Sequence, residues 1–285
     1  MRGLKKAVIT AAGLGTRLLP ATKELPKEML PVFVMKDRKL ILKPLLQALF
    51  EQLYDFGIRE FCFVVGRGKR AIEDHFTPDW DFVTLLERRG KNDIADDLKR
   101  FYNEVESSTI IWVNQPRPRG FGHAVLMARA FVGSERFLAC AGDTFIISRN
   151  NDFLRRLLRV HGKTNAYATI LLQKVRDPRR YGVAEVEEKG DALRVIRVVE
   201  KPRKPPSDLA IMPFYIFEPE IMDILKNLKP GVGDEIQLTD GIQKLIEEDR
   251  PVYGILLRED ELRLDIGAPD TYWEAIRLSY KYFLR

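Results

Sequence analysis

The sequence predicts an α/β domain, a mostly parallel sheet with helices on both faces. Three observations carry that prediction. Short apolar runs without polar alternation recur through the first half, helical patterns separate them, and a glycine-rich turn follows the first run directly. Strands that are apolar on both sides belong in a covered sheet, and the helices between them are the crossovers a parallel order needs. With 285 residues, 45% of them hydrophobic, the chain can build a substantial core as one large domain or two smaller ones. That apolar content excludes a disordered chain.

The elements follow in order. Lys6–Ala11 (KAVITA) is a short apolar strand that ends at the glycine turn. Residues 44–56 carry a helical apolar face and stop at Gly57. Glu60–Val65, Thr109–Asn114 and Phe137–Ala141 read as further strands, with a helix over 124–132 before the last of them. The stretch 85–106 is helical and heavily charged, as a solvated face would be. After Asn150 the pattern turns mixed. A helix over 152–160 precedes a strand at 168–173, and 183–187 and 193–199 look like an antiparallel pair. Residues 203–206 form a basic, proline-rich loop. Helices over 219–225 and 238–248, a strand at 252–257 and a closing helix over 269–282 complete the chain. No repeat period stands out. One domain is expected over 1–285, with parts at about 1–150, 151–268 and 269–285.

Charge and cysteine usage bound the function. Lys and Arg number 47 against 41 Asp and Glu, a net of +6, with both signs interleaved. A nucleic-acid binder would gather its cations on one face among aromatics, so that class ranks last. No apolar run approaches a membrane span, and the N-terminus leads straight into a strand, so neither anchor nor signal peptide is expected. Cys62 and Cys140 each sit inside an apolar run, as free thiols in a reducing compartment would. Trp80, Trp112 and Trp273 are expected as core or interface anchors.

The turn Gly13-Leu14-Gly15-Thr16-Arg17-Leu18 lets backbone approach a ligand and exposes N–H groups to phosphate oxygens. A dinucleotide fingerprint needs a third glycine where Leu18 stands, and a P-loop needs a Gly-Lys-Ser/Thr ending, so both fail. A tight structural turn remains an even alternative for the loop alone. Arg17 and Lys27 change the balance. A planar fork and a mobile point charge on one loop suit a triphosphate.

With these residues in view the chain resembles a known family. The run AAGLGTRLLPATKELPKEMLP is similar to the signature of the sugar-1-phosphate nucleotidylyltransferases, and within them to the bacterial-type UTP–glucose-1-phosphate uridylyltransferases. The pattern continues in order with Gln115 before Gly120-Phe121-Gly122-His123-Ala124, then Tyr181-Gly182-Val183 and Glu200-Lys201-Pro202. The run from Asp234 to Asp240 and Leu264-Asp265-Ile266-Gly267 complete it.

The resemblance implies a Rossmann-like nucleotide-diphospho-sugar transferase fold, with small antiparallel elements on the sugar side. It implies attack of a sugar 1-phosphate on the α-phosphorus of UTP, with glucose 1-phosphate as the sugar and Mg2+ as the cofactor. Ala12, Gly13, Gly15, Thr16 and Arg17 would hold the nucleotide, and Lys27 would support the reacting phosphates. Glu28 would accept from the uracil N–H, Gln115 would add a second contact, and Gly120 and Gly122 would leave room for the base. Gly182, Glu200 and Lys201 would take the sugar and its phosphate, with Arg17, Lys27 and Lys201 as the catalytic cations. Asp143 and Asp265 match the family's metal positions, and each also fits a turn-capping role. His123 opens a helix and is expected to pack or cap. A homodimer or homotetramer, a cytoplasmic place, and neither nucleic-acid nor membrane partners complete the expectation.

The chain departs from the family pattern at 35–42 (MKDRKLIL), which is longer and more basic than the usual connection, at Arg117 and Arg119, and at Leu264. These changes leave open a thymidylyltransferase or another hexose-1-phosphate enzyme. A catalytically silent nucleotide-binding regulator is the other alternative, opposed by the intact Arg17, Lys27, Asp143 and Asp265.

Overall fold

The computed structural model describes residues 3–36, 39–189 and 192–284. Strand β1 (Lys6–Ala11) leads into the glycine loop, two 3-10 turns and a hairpin, β2 (Pro31–Lys36) and β3 (Lys39–Pro44). Helix α1 (Leu45–Phe56) follows and ends where Gly57, at φ 113°, lets the chain reverse. Then come β4 (Glu60–Val65), α2 (Arg70–His75), α3 (Trp80–Arg88), α4 (Asn92–Glu106) and β5 (Thr109–Asn114). Helices α5 (Phe121–Met127) and α6 (Arg129–Val132) precede β6 (Phe137–Ala141) and β7 (Thr144–Ile147). The second half holds α7 (Asp152–Thr164), β8 (Ala168–Lys174), β9 (Gly182–Lys189), β10 (Ala192–Glu200) and β11 (Leu209–Phe217). It closes with α8 (Ile221–Asn227), α9 (Leu238–Glu247), β12 (Val252–Leu256), β13 (Leu262–Asp265) and α10 (Pro269–Phe283).

Among the described residues, nine strands form one mixed sheet in the order β5-β4-β1-β6-β11-β8-β12-β10-β9. The first four run parallel, as their unbroken apolar sequences predict. Strand β11 is antiparallel to both β6 and β8, and β10 is antiparallel to β9 and β12. Side chains on the two sheet faces feed two separate cores. Ile9, Phe61, Phe63 and Cys140 pack on one side under α1, α4 and α7. Val8, Cys62, Phe137 and Phe217 pack on the other under α5, α8 and α9. Each fully buried Phe contributes about 1.5–3 kcal/mol relative to exposure. Burial pushes the Cys62 thiol up to about 12, and burial with the charge of Asp143 raises Cys140 as well.

Several expectations need correction. The charged stretch 85–106 is two helices, because Gly90 at φ 70° ends one and admits the next. Residues 124–132 are likewise split between α5 and α6. The basic segment 35–42 belongs to the β2–β3 hairpin, though Asp37 and Arg38 lie outside the described residues. That hairpin rests on α10, where the Tyr272 hydroxyl donates to the Pro31 carbonyl at 3.2 Å and Phe33 meets Tyr280 edge-on. Strand β11 is central, yet the sequence pattern did not disclose it. Of the tryptophans, Trp112 packs against the core, while Trp273 is 66% exposed and Trp80 lies on the surface.

Candidate active site

Two clefts open at the C-terminal ends of β1 and β6, where an open parallel sheet receives ligands. The first, of about 470 Å3, is lined by Ala12, Gly13, Arg17, Lys27, Glu28, Gln115, Gly120 and Asp143. The second, of about 380 Å3, is lined by Arg17, Asp143, Gly182, Glu200, Lys201, Arg263 and Asp265. Arg17, Asp143 and Glu235 belong to both, so the clefts meet at a cation and two carboxylates.

Local sequence explains each placement. Gly15 takes φ 66°, a conformation costly for other residues, and turns the loop back under itself. Its carbonyl accepts from Leu18 N at 2.9 Å and from the Thr22 hydroxyl at 2.8 Å. Gly15 and Thr16 therefore shape the loop without lining either cleft, whereas Arg17 reaches both. The 3-10 turn Lys27–Met29 aims Lys27 at the junction, where its ammonium contacts the Asp143 carboxylate. Burial opposes the ammonium, but the charges of Asp143, Glu28 and Asp265 outweigh it and hold Lys27 above the ordinary lysine value.

Asp143 follows β6 after Gly142, and Asp265 ends β13, which pairs antiparallel with β7. That pairing brings the carboxylates together: burial first, and then the charge of Asp143, raises the Asp265 carboxyl above its usual range. Among the described residues, no group of three or more His, Cys, Asp or Glu forms a metal cage. Among the described residues that line the two clefts, Asp143 and Asp265 offer hard carboxylates, and neither His nor Cys stands with them. Such a set fits a cation that completes its shell with phosphate oxygens and water.

Glu28, which also lines the first cleft, is 1% exposed and accepts from the Lys69 ammonium at 2.8 Å. Burial, opposed by Lys69 and Lys27, raises its carboxyl. Gln115 immediately follows β5, and its Nε2 meets His123 Nδ1 at 2.9 Å. His123 thus holds a neighbouring side chain where packing or capping was expected. Gly120 and Gly122 have a packing reason for lacking side chains. A Cβ on either would lie 2.7 Å from the Ile236 carbonyl, so their absence lets segment 235–238 close against the loop. Gly120 still lines the cleft, whereas Gly122 does not.

In the second cleft, Glu200 Oε2 accepts from the Thr239 hydroxyl at 2.7 Å, and Lys201 Nζ stands 3.4 Å from Glu200 Oε1. Lys201 itself has φ 43°, a left-handed conformation rare for lysine, and its N–H donates to the Tyr181 carbonyl at 3.0 Å. A Cβ on Gly182 would strike Thr239 Oγ1 at 2.7 Å, so glycine is what allows the Glu200–Thr239 contact. Sequence reasoning assigned no role to Lys69, Thr239, Arg180 or Arg263. Thr239 stands within a quoted motif, but the other three carry no signal of their own. Arg263 donates to the Tyr181 hydroxyl at 3.3 Å and, with Arg180, adds positive charge to this cleft.

The nucleotidyl transferase family model matches residues 6–281. The chain belongs to that family. Among relatives of this transferase is the UTP–glucose-1-phosphate uridylyltransferase of Staphylococcus haemolyticus, 40% identical over 272 residues, covering 94% of this chain and 89% of that protein. A UTP-bound UGPase from Acinetobacter baumannii shares 30% identity and superposes with a TM-score of 0.83 over 98% of this chain and 93% of that one. A UDP-glucose pyrophosphorylase complexed with UDP-glucose, also 30% identical, gives 0.82 over 98% and 99%.

Proposed function

We propose that this transferase moves UMP from UTP to glucose 1-phosphate, releasing pyrophosphate and giving UDP-glucose. The observation that carries the reading is the meeting of the two clefts at Arg17 and Asp143. A triphosphate entering from the glycine loop and a sugar phosphate entering past Lys201 would meet at that point. A sugar-phosphate oxygen forms a bond to the α-phosphorus, and the bond to the β-phosphate breaks, the electron pair leaving with pyrophosphate. The attacking oxygen is already ionised at neutral pH, so no general base is needed. What the protein must supply is alignment and charge neutralisation. The relatives' names and the UTP and UDP-glucose in their structures support these substrates.

Arg17 and the loop N–H groups of Ala12 and Gly13 would hold the triphosphate, supported by Gly15 and Thr16. Lys27 would turn from Asp143 to the reacting phosphates. Glu28 and Gln115 would read the base beside Gly120, with Gly122 closing the wall behind. Glu200 and Gly182 would face the hexose and Lys201 its phosphate. Asp143 and Asp265 would hold Mg2+, which supplies charge neutralisation at the phosphates. Residues 1–150 would then serve the nucleotide and 151–268 the sugar. The closing helix, with Trp273 and Tyr280 exposed, would join copies as a homodimer or homotetramer. Among the described residues, no helix is long and apolar enough to cross a membrane. A cytoplasmic place fits the reading.

Pyrophosphate release, followed with each nucleoside triphosphate and hexose 1-phosphate, tests the assignment. Release is expected fastest with UTP and glucose 1-phosphate. Silence with every pair would sink it, and preference for dTTP would move it to thymidylyl transfer. Asp143→Ala should abolish turnover while circular dichroism stays native. Near-normal activity in that variant would remove the metal assignment.

A further inference from the structure

We propose that His123 is a positioning residue that fixes which end of the Gln115 amide faces the nucleotide base. The inference deepens the reading above and rests on it. Gln115 is only 5% exposed, and its backbone N–H donates to the Val65 carbonyl at 2.7 Å, which anchors it at the end of β5. Its side-chain Nε2 lies 3.3 Å from the Gly120 carbonyl and 2.9 Å from His123 Nδ1. A backbone carbonyl can only accept, so the Gly120 contact alone requires the nitrogen end of the amide to point that way. With that end fixed, the group that meets His123 is an N–H, and Nδ1 must accept it. The imidazole is therefore neutral, with its proton on Nε2.

The two contacts occupy both amide protons. Gln115 Oε1 has no protein partner among the described residues, and the residue lines the first cleft beside Glu28 and Gly120. The chain thus presents a fixed acceptor to the cleft. Burial of the imidazole and the nearby Arg119 charge both favour the neutral form this arrangement needs.

The chemistry of the base makes the orientation matter. The uracil pairing edge carries one ring N–H, flanked by two carbonyl oxygens. Cytosine carries a bare ring nitrogen at the same place. An amide oxygen there accepts from uracil and sets lone pair against lone pair with cytosine. An amide free to turn over would present its NH2 group instead, and cytosine would be accommodated. The Gly120 contact is long, so the shorter bond to His123 supplies most of the hold on the amide. The family resemblance gave the ring N–H to Glu28, but its Oε2 already accepts from Lys69, so the ring N–H is reassigned to Gln115, with Glu28 as the second contact.

The test compares His123→Leu, His123→Asn and Gln115→Ala with the unaltered protein, measuring kcat and KM for UTP and CTP with glucose 1-phosphate. Leu removes the acceptor, whereas Asn restores one, because its Oδ1 stands near the place of Nδ1. His123→Leu should raise KM for UTP about tenfold, the effect of one hydrogen bond, with kcat little changed. It should also shrink the UTP-to-CTP ratio of kcat/KM by a similar factor, and His123→Asn should restore both. Unchanged KM and ratio in His123→Leu, with Gln115→Ala impaired, would overturn the role of His123 and leave the base site standing. Failure of His123→Asn to rescue a folded protein would overturn it equally. Unchanged UTP kinetics in Gln115→Ala would overturn the base-site reading itself, and the inference with it. Should His123→Leu not fold, His123→Ala is read by the same criteria.

Discussion

Gly122→Ala separates the packing account of the glycines from ordinary helix energetics. Gly122 lies inside α5, where alanine normally stabilises a helix by up to about 1 kcal/mol over glycine. The structure predicts the opposite sign. The new Cβ would stand 2.7 Å from the Ile236 carbonyl and 3.0 Å from both Gln237 C and Leu238 N. All three are backbone atoms, so no flexible side chain can swing away. Non-bonded carbons rest about 3.5–4.0 Å from their neighbours, and segment 235–238 must retreat by roughly half an ångström. Overpacking of this kind costs about 1–3 kcal/mol, which exceeds the propensity gain. At about 2–4 °C per kcal/mol for a chain near this size, Tm should fall by several degrees. Glu235, which lines both clefts, moves with that segment, as does Thr239, which holds Glu200. The variant should therefore lose about tenfold or more in kcat/KM for the sugar phosphate, although the glycine belongs to the nucleotide half. Differential scanning fluorimetry and steady-state kinetics measure both effects, with Gly3→Ala, which meets nothing within 4 Å, as control. A Gly122→Ala protein as stable and as active as the control would refute the steric argument.

Two other outcomes follow from the geometry. Thr239→Val removes the donor to Glu200 Oε2 and should raise KM for glucose 1-phosphate several-fold, about 1 kcal/mol, leaving KM for UTP unchanged; matched increases in both would contradict it. Burial, opposed by Glu51, lowers the His75 pKa, and the ring rests against Phe76 and Phe101 with Gln47 at 2.9 Å. A lowered histidine stabilises the fold above its unfolded-state value and loses that contribution as pH falls through the folded value. His75→Gln should therefore show a smaller drop in Tm between pH 7.5 and pH 5 than the unaltered protein, and an unchanged drop would refute this.

How much was legible depended on whether the deciding physics was local. The parallel strands β1, β4, β5 and β6 announce themselves, because a strand buried on both faces is an unbroken apolar run. Asp143 was legible for a similar reason, standing at the exit of such a run. Strand β11 was hidden by Pro213, since proline cannot donate to a ladder and argues against a central strand. The structure accommodates it where the β11–β8 register shifts between Met212 and Tyr215, a bulge that spares the missing N–H. Lys69 was illegible because its partner, Glu28, is 41 positions away and neither sits in a spaced motif with the other. The glycines at 120 and 122 were read as making room for a ligand. What they also make room for is backbone more than 100 residues downstream, which local sequence does not encode.

The two cysteines give the sheet a use beyond packing. Cys62 and Cys140 sit on the strands either side of β1, fully buried, one in each of the two cores. Neither thiolate forms readily while the sheet is intact, because burial raises both thiols. Alkylation therefore requires the sheet to open, and its rate reports that opening without an engineered label. Because the thiols face opposite sides, peptide mapping of the modified protein would time the uncovering of each layer separately. The chain thus carries its own pair of clocks for the unfolding of its central sheet.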